Sequence, residues 1–254
     1  MNKIIKLLKK LIICFIFLLV FIIIFVIDCV FESVQINDKV NAFISRGVLT
    51  YENENKHYYK VIKKYDYEDI SYPIIRDFSS SNVGSTGDIY ISNRNPIELN
   101  LVGYISKHIY IGHSALVYDE LANNTIEVIG NGKKEENCVK LWDNKWIYEK
   151  SPNFIFLRVK GMNDNLKDKF INECDKIMGE DFNYNFLFNN NKKHYCSELV
   201  TYLYNKLGYN LNNDYYASTG ADYITNDNTY IIYYQEKVIL NNKTHFNIYY
   251  LAGE

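Results

Sequence analysis

Leu11 to Ile27 is an unbroken apolar run, preceded by Lys3, Lys6, Lys9 and Lys10 and extended past Asp28 by Cys29, Val30 and Phe31. This run most constrains the fold, because a bilayer-crossing helix needs about 20 mostly apolar residues and the run with its extension reaches that length. No small-x-small cleavage pattern follows it, so it reads as a retained transmembrane anchor; a removed signal peptide is the alternative. Asp28 stands where a lipidated cysteine would need a small residue, which argues against a lipoprotein. The lysine asymmetry keeps the N-terminus in the cytoplasm and sends the rest of the chain to the extracytoplasmic side of the cell membrane. Residues 1–31 are therefore read as cytoplasmic lysines and anchor, 32–82 as juxtamembrane helix and connector, and 83–254 as a single folded domain.

Past the anchor, Ile36, Val40, Phe43 and Ile44 recur at helical spacing and Gly47 ends the run, which predicts a short juxtamembrane helix over 34–44. Tyr51 to Asp77 is charged, tyrosine-rich and weakly periodic, and reads as an irregular or helical connector docked on the domain. Ser79-Ser80-Ser81-Asn82 is a loop signal. A formal net charge of -2 implies no strongly basic surface and argues against a nucleic-acid partner, and 48% hydrophobic residues suffice for one globular core. The 24 tyrosines follow a general excess of Asn, Ile, Lys and Tyr and carry no mechanistic weight.

Of the 5 cysteines, Cys14 and Cys29 belong to the apolar segment, leaving Cys138, Cys174 and Cys196. An odd number without C-x-x-C spacing indicates neither a disulfide framework nor a zinc site. A Cys138–Cys174 bridge with Cys196 free is left open, no metal or other cofactor is read from the sequence, and the oligomeric state is unspecified.

Within 83–254 the pattern predicts an α+β fold, with an antiparallel sheet packed against helices. Strands are expected at Ile89-Tyr90-Ile91, Gly112 to Tyr118, Thr125 to Ile129, Phe154 to Val159, Ile231 to Tyr234, Val238 to Leu240 and Phe246 to Tyr250, the last at a sheet edge. Asn163 or Asp164 caps a helix whose Leu166, Phe170, Cys174, Ile177 and Met178 share one face before Gly179. A second helix starts at Cys196, with Leu199, Tyr202, Leu203 and Leu207 at helical spacing and Gly208 as its stop.

Cys196 in a first helical turn has two readings. A helix N-terminus favours the thiolate and supplies N–H donors for an oxyanion, whereas a lone cysteine is ordinarily a small buried hydrophobe. The nucleophile reading needs an imidazole and a group to orient it. Of the 5 histidines, His57 and His245 sit in polar stretches and read as solvated, His108 lies in a loop-like segment, and His194 is too close along the chain to converge on Cys196 of necessity. His113 follows Gly112 at the mouth of a strand. With a three-residue hairpin loop at Asp119 to Leu121, His113 and Glu127 face each other across the ladder, about 5 Å apart at Cβ, which makes Glu127 the orienting carboxylate.

Gly87-Asp88-Ile89-Tyr90-Ile91, Gly112-His113-Ser114-Ala115-Leu116-Val117, Ile126-Glu127-Val128-Ile129-Gly130, Tyr184 and Tyr195-Cys196-Ser197-Glu198-Leu199-Val200 resemble the permuted NlpC-like papain-fold proteins, in particular their YiiX-like branch. The resemblance covers roughly Gly84 to Gly208, and Tyr-Cys-Ser-Glu-Leu-Val is its most specific part. It implies a circularly permuted papain-like fold in which the histidine strand precedes the cysteine helix. It further implies Cys196 as nucleophile, His113 as base and Glu127 as orienting residue, with Tyr184 near the nucleophile as a substrate or oxyanion contact. Against this, Tyr184 is also one tyrosine among many. Asp88 reads as a turn or capping residue. A membrane-anchored cysteine hydrolase acting on a peptide or peptidoglycan amide is the reading this favours. A lipid-directed amidase or acyltransferase with the same triad, or a binding domain that has lost the chemistry, are the alternatives.

Overall fold

A computed structural model describes residues 2–78, 82–93, 110, 112–130, 137–149, 153–186, 192–212 and 217–253. The first helix, α1, runs without interruption over Asn2–Ile44, a length of about 65 Å at 1.5 Å per residue. The anchor and the juxtamembrane helix expected over 34–44 are one continuous helix, no Gly or Pro interrupting 28–44. Ile4 to Ile27 are exposed side by side, and the helix is apolar enough to cross a membrane, its most apolar 18-residue stretch having a mean hydropathy of 3.4. From Cys29 onward one face of the helix turns inward, burying Cys29, Ile36, Val40 and Phe43, while Val30, Phe31 and Val34 stay exposed.

The chain continues into β1 (Gly47–Asn53) and β2 (Lys56–Ile62), an antiparallel hairpin. This corrects the expectation of an irregular or helical connector for 51–62, whereas 63–77 is irregular; the aromatic and β-branched density of Thr50, Tyr51, Tyr58, Tyr59, Val61 and Ile62 is the strand signal. After β3 (Ile89–Ser92), β4 (Ser114–Val117), β5 (Asn124–Val128) and β6 (Val139–Asp143) comes a one-turn helix, α2 (Trp146–Glu149). Neither β6 nor α2 was foreseen. Next are β7 (Phe154–Val159), α3 (Asp164–Lys176), the short pair β8 (Asp181–Phe182) and β9 (Lys193–His194), α4 (Cys196–Leu207) and α5 (Gly220–Thr225). The chain ends in the hairpin β10 (Thr229–Leu240) and β11 (Lys243–Ala252).

Among the described residues the large sheet has nine strands in the order β1-β2-β11-β10-β7-β3-β4-β5-β6. The sheet is mixed rather than antiparallel, because β11 pairs in parallel with β2. That pairing also places β11 inside the sheet, not at its edge. Its half-polar alternation reads as an edge strand until a hairpin from the other end of the chain covers it. The two strands expected at 231–234 and 238–240 are one; polar Gln235 and Glu236 do not interrupt it, since the ladder with β11 carries straight through them.

The core centres on stacked aromatics, with Tyr90 and Phe156 at 3.8 Å between centroids and Phe156 and Tyr233 at 4.9 Å. Arg158 on β7 grips Asp88 through two 2.8 Å hydrogen bonds, and the Asp88 carboxylate also accepts from the Ser85 N–H, so Asp88 is the turn-capping residue expected. Helix α1 is fastened by Lys39, which donates to the carbonyls of Thr225 and Asn226 at the end of α5, where a helix presents unpaired acceptors. Arg46, just past α1, forms a bidentate pair with buried Glu68. No disulfide joins any of the 5 cysteines, which closes the question of a Cys138–Cys174 bridge.

Candidate active site

Helix α4 begins where its sequence says it should. Tyr195 is the N-cap in extended conformation, its N–H donates to Glu198 at 3.4 Å, and Gly208 ends the helix with φ 93. Leu199, Val200, Leu203 and Tyr204 are buried against the sheet, and the Tyr204 hydroxyl donates to the Gly87 carbonyl. The first turn is thereby held over the start of β4. The Cys196 thiol points at the Gly112 carbonyl, 3.9 Å from Sγ, and lies equally far from the Ser197 hydroxyl.

His113 precedes β4 and its backbone is tied to β3 on both sides: Ser92 N–H donates to its carbonyl at 3.0 Å, and its own N–H donates to Ser92 Oγ at 3.2 Å. Its Nε2 meets Glu127 Oε2 at 2.6 Å. The expected ladder register differs, however. Val117 pairs with Thr125 and Leu116 with Ile126, so Glu127 stands opposite Ala115 and reaches His113 along the diagonal. The loop is longer than three residues because Asp119 draws the N–H groups of Leu121, Asn123 and Asn124 onto its carboxylate, with Ala122 at φ 55. Glutamate is long enough to make the diagonal contact.

With Nε2 engaged by Glu127, Nδ1 is the ring nitrogen left for Cys196. Burial alone would lower the imidazole's affinity for a proton, but hydrogen bonds and charge from Cys196 and Glu127 win, and His113 is raised to about 9. Burial pushes the Cys196 thiol up, and the hydrogen bond and charge of His113, with help from the Ser114 N–H and the Ser197 hydroxyl, bring it below its ordinary value. Both directions favour a thiolate–imidazolium pair. Cys174, buried without such a neighbour, is pushed up instead.

Two residues of the site had no sequence signal. Thr125 Oγ1 and Trp146 Nε1 donate to Glu127 Oε1 at 2.6 and 2.7 Å. Trp146 also lies face to face with His113, centroids 5.4 Å apart and planes 16° from parallel. Only the need of a buried indole N–H for a partner hinted at such a role, and that need does not name the partner.

The remaining expectations divide. Tyr184 is 62% exposed, and its hydroxyl accepts from Asn137 Nδ2 at 2.5 Å; among the described residues it makes no hydrogen bond to Cys196. His194 is fully buried with Nε2 on Glu180 at 2.8 Å, so it does not converge on the thiol. His57 and His245 are not separately solvated: their rings stack and their nitrogens meet at 3.1 Å, with Glu52 on the other side of His57. His108 and Ser79-Ser80-Ser81 lie outside the described residues. No group of three or more His, Cys, Asp or Glu side chains among the described residues is arranged to hold a metal ion.

The fold is thus an α+β architecture with a large mixed sheet and one apolar N-terminal helix, carrying a cysteine, a histidine and a glutamate in one cluster. No family model matches the chain, and no curated protein matches it. Among solved structures it is similar to the crystal structure of the metalloprotein yiiX from Escherichia coli O157:H7, at 15% identity and a TM-score of 0.45, over 59% of this chain and 96% of that one. No property of that protein is carried over to this chain.

Proposed function

We propose that this chain is a membrane-anchored cysteine hydrolase that cleaves an amide bond in a peptide or cell-wall peptide, with Cys196 as nucleophile, His113 as base and Glu127 as the carboxylate that orients it. The observation that carries the reading is the His113–Glu127 bond of 2.6 Å beside a thiol drawn below its ordinary value by the same imidazole. In the reaction the Cys196 sulfur attacks the carbonyl carbon, and the Cys196 N–H at the start of α4 helps hold the oxyanion. Protonated His113 gives its proton to the departing amine, and water, deprotonated by His113, then releases the acid from the thioester. The order of the parts, histidine strand before cysteine helix, is that of a permuted papain-like domain. Tyr184, exposed and accepting from Asn137, keeps its O–H to donate and stays the proposed substrate or oxyanion contact.

One observation keeps the lipid-directed reading beside the first. Burial of α1 against the domain starts at Cys29, two residues past the apolar run, so a chain anchored by this helix would hold its domain close to bilayer lipids. The test is hydrolysis by the full chain in detergent of an amide panel containing peptides, cell-wall peptides and N-acyl lipids. Cys196→Ala should abolish turnover and leave the unfolding free energy within about 0.5 kcal/mol. Turnover that survives this change sinks the proposal, and turnover of the lipid amides alone replaces the first reading with the second.

A further inference from the structure

We propose that Trp146 is a positioning residue of this site: its indole N–H clamps one oxygen of Glu127 while its ring covers one face of His113, so that the other carboxylate oxygen is held on His113 Nε2. The inference rests on the Cys196–His113–Glu127 reading above and adds the part that makes Glu127 competent.

A glutamate's terminal torsion is broad and roughly two-fold, so the backbone of β5 does not by itself aim the carboxylate. A diagonal partner is also a longer reach than a directly opposite one, and slack in the carboxylate would open the bond to His113. Two donors fix one end: Thr125, two residues back on β5, at 2.6 Å, and Trp146 at 2.7 Å. Threonine can turn its hydroxyl elsewhere, whereas the indole N–H has one direction and no acceptor capacity. The indole is itself immobile. It is fully buried and its backbone N–H donates to Asn144 Oδ1 at 3.3 Å. Asn144 in turn donates to the Ala122 carbonyl at 2.8 Å and to the Tyr90 hydroxyl at 3.1 Å. The clamp is therefore built into the core, with the ring held against His113 at 16° from parallel. Among the described residues, the charged groups facing Glu127 include His113 and, directly opposite on β6, Lys140, whose ammonium lies 4.0 Å from the Trp142 ring centroid.

Trp146→Phe retains a ring over His113 and deletes the N–H. The readout is the rate of Cys196 carboxymethylation by iodoacetate against pH, on the full chain in detergent. An anionic reagent is favoured by the protonated imidazole, so the profile is bell-shaped and its upper limb follows His113. Freeing the carboxylate weakens the bond that holds the His113 proton, and the upper limb should move down by about one pH unit. Thr125→Val, which removes the weaker-directed donor, should move it the same way by less, and it carries the test if Trp146→Phe does not fold. An upper limb that stays in place or rises in the folded variant overturns the inference while leaving the hydrolase reading intact. A wild-type profile without two limbs overturns both.

Discussion

Replacing Glu127 by glutamine separates orientation from stability. Thr125 and Trp146 both donate to Oε1, and an indole N–H cannot accept, so the new side chain must present its amide oxygen to them and its NH2 group to His113. Nε2 then has to accept a hydrogen bond, and the ring proton moves to Nδ1, the nitrogen that should receive the thiol proton. The thiol returns to at least its ordinary value near 8.5, which leaves about 3% thiolate at pH 7. Because a more basic thiolate is also the better nucleophile, the net loss in alkylation rate is about threefold. Stability changes little, since both Oε1 donors keep an acceptor. Glu127→Ala behaves oppositely: the imidazole is free to take either tautomer, so alkylation falls by less than in the glutamine variant, while two buried donors lose their acceptor at about 1–3 kcal/mol each. The assay is iodoacetamide alkylation at pH 7, with Cys196 and Cys138 peptides quantified together by mass spectrometry, alongside urea unfolding of each variant. The reasoning is refuted if the glutamine variant alkylates at the wild-type rate, or if the alanine variant is the slower of the two.

The raised His113 and lowered Cys196 imply a bell-shaped pH dependence for amide hydrolysis. Activity rises as the thiol ionises below its ordinary value and falls near pH 9 as the imidazolium that must protonate the amine is lost. A falling limb near 6.5 in steady-state rates would contradict the pairing. Away from the site, Arg158→Leu leaves the Asp88 carboxylate, 1% exposed, without its guanidinium and should cost about 3–5 kcal/mol in urea unfolding. Adding Asp88→Asn should recover part of that loss, and a single variant as stable as wild type would show that the pair contributes nothing.

Much of the site's cysteine half was legible because it is local. Tyr195 and Glu198 cap α4, apolar residues at three- and four-residue spacing give it a buried face, and Gly208 closes it, all within one short stretch. The same holds for α3 behind Asn163 and for the strands β3, β4, β5 and β7. His113 and Glu127 could be paired from alternation alone, but through a wrong register, because Asp119 lengthens the loop with side-chain hydrogen bonds that no strand pattern announces. Glutamate's length makes the diagonal contact where a shorter aspartate would have needed the directly opposite position.

The amino-acid sequence by itself determined the apolar helix, the helix that presents Cys196, and the strand identity of the residues around His113 and Glu127. These follow from capping, periodicity and side-chain alternation, which act over a few residues. Only the tertiary structure decided that β2 covers β11 in parallel, that the hairpin closes two residues later than a tight turn would, and that Trp146 reaches back to Glu127 from a one-turn helix. Those outcomes depend on which distant segments bury each other's polar edges and rings, and a buried N–H or a strand edge states its need for a partner without naming it.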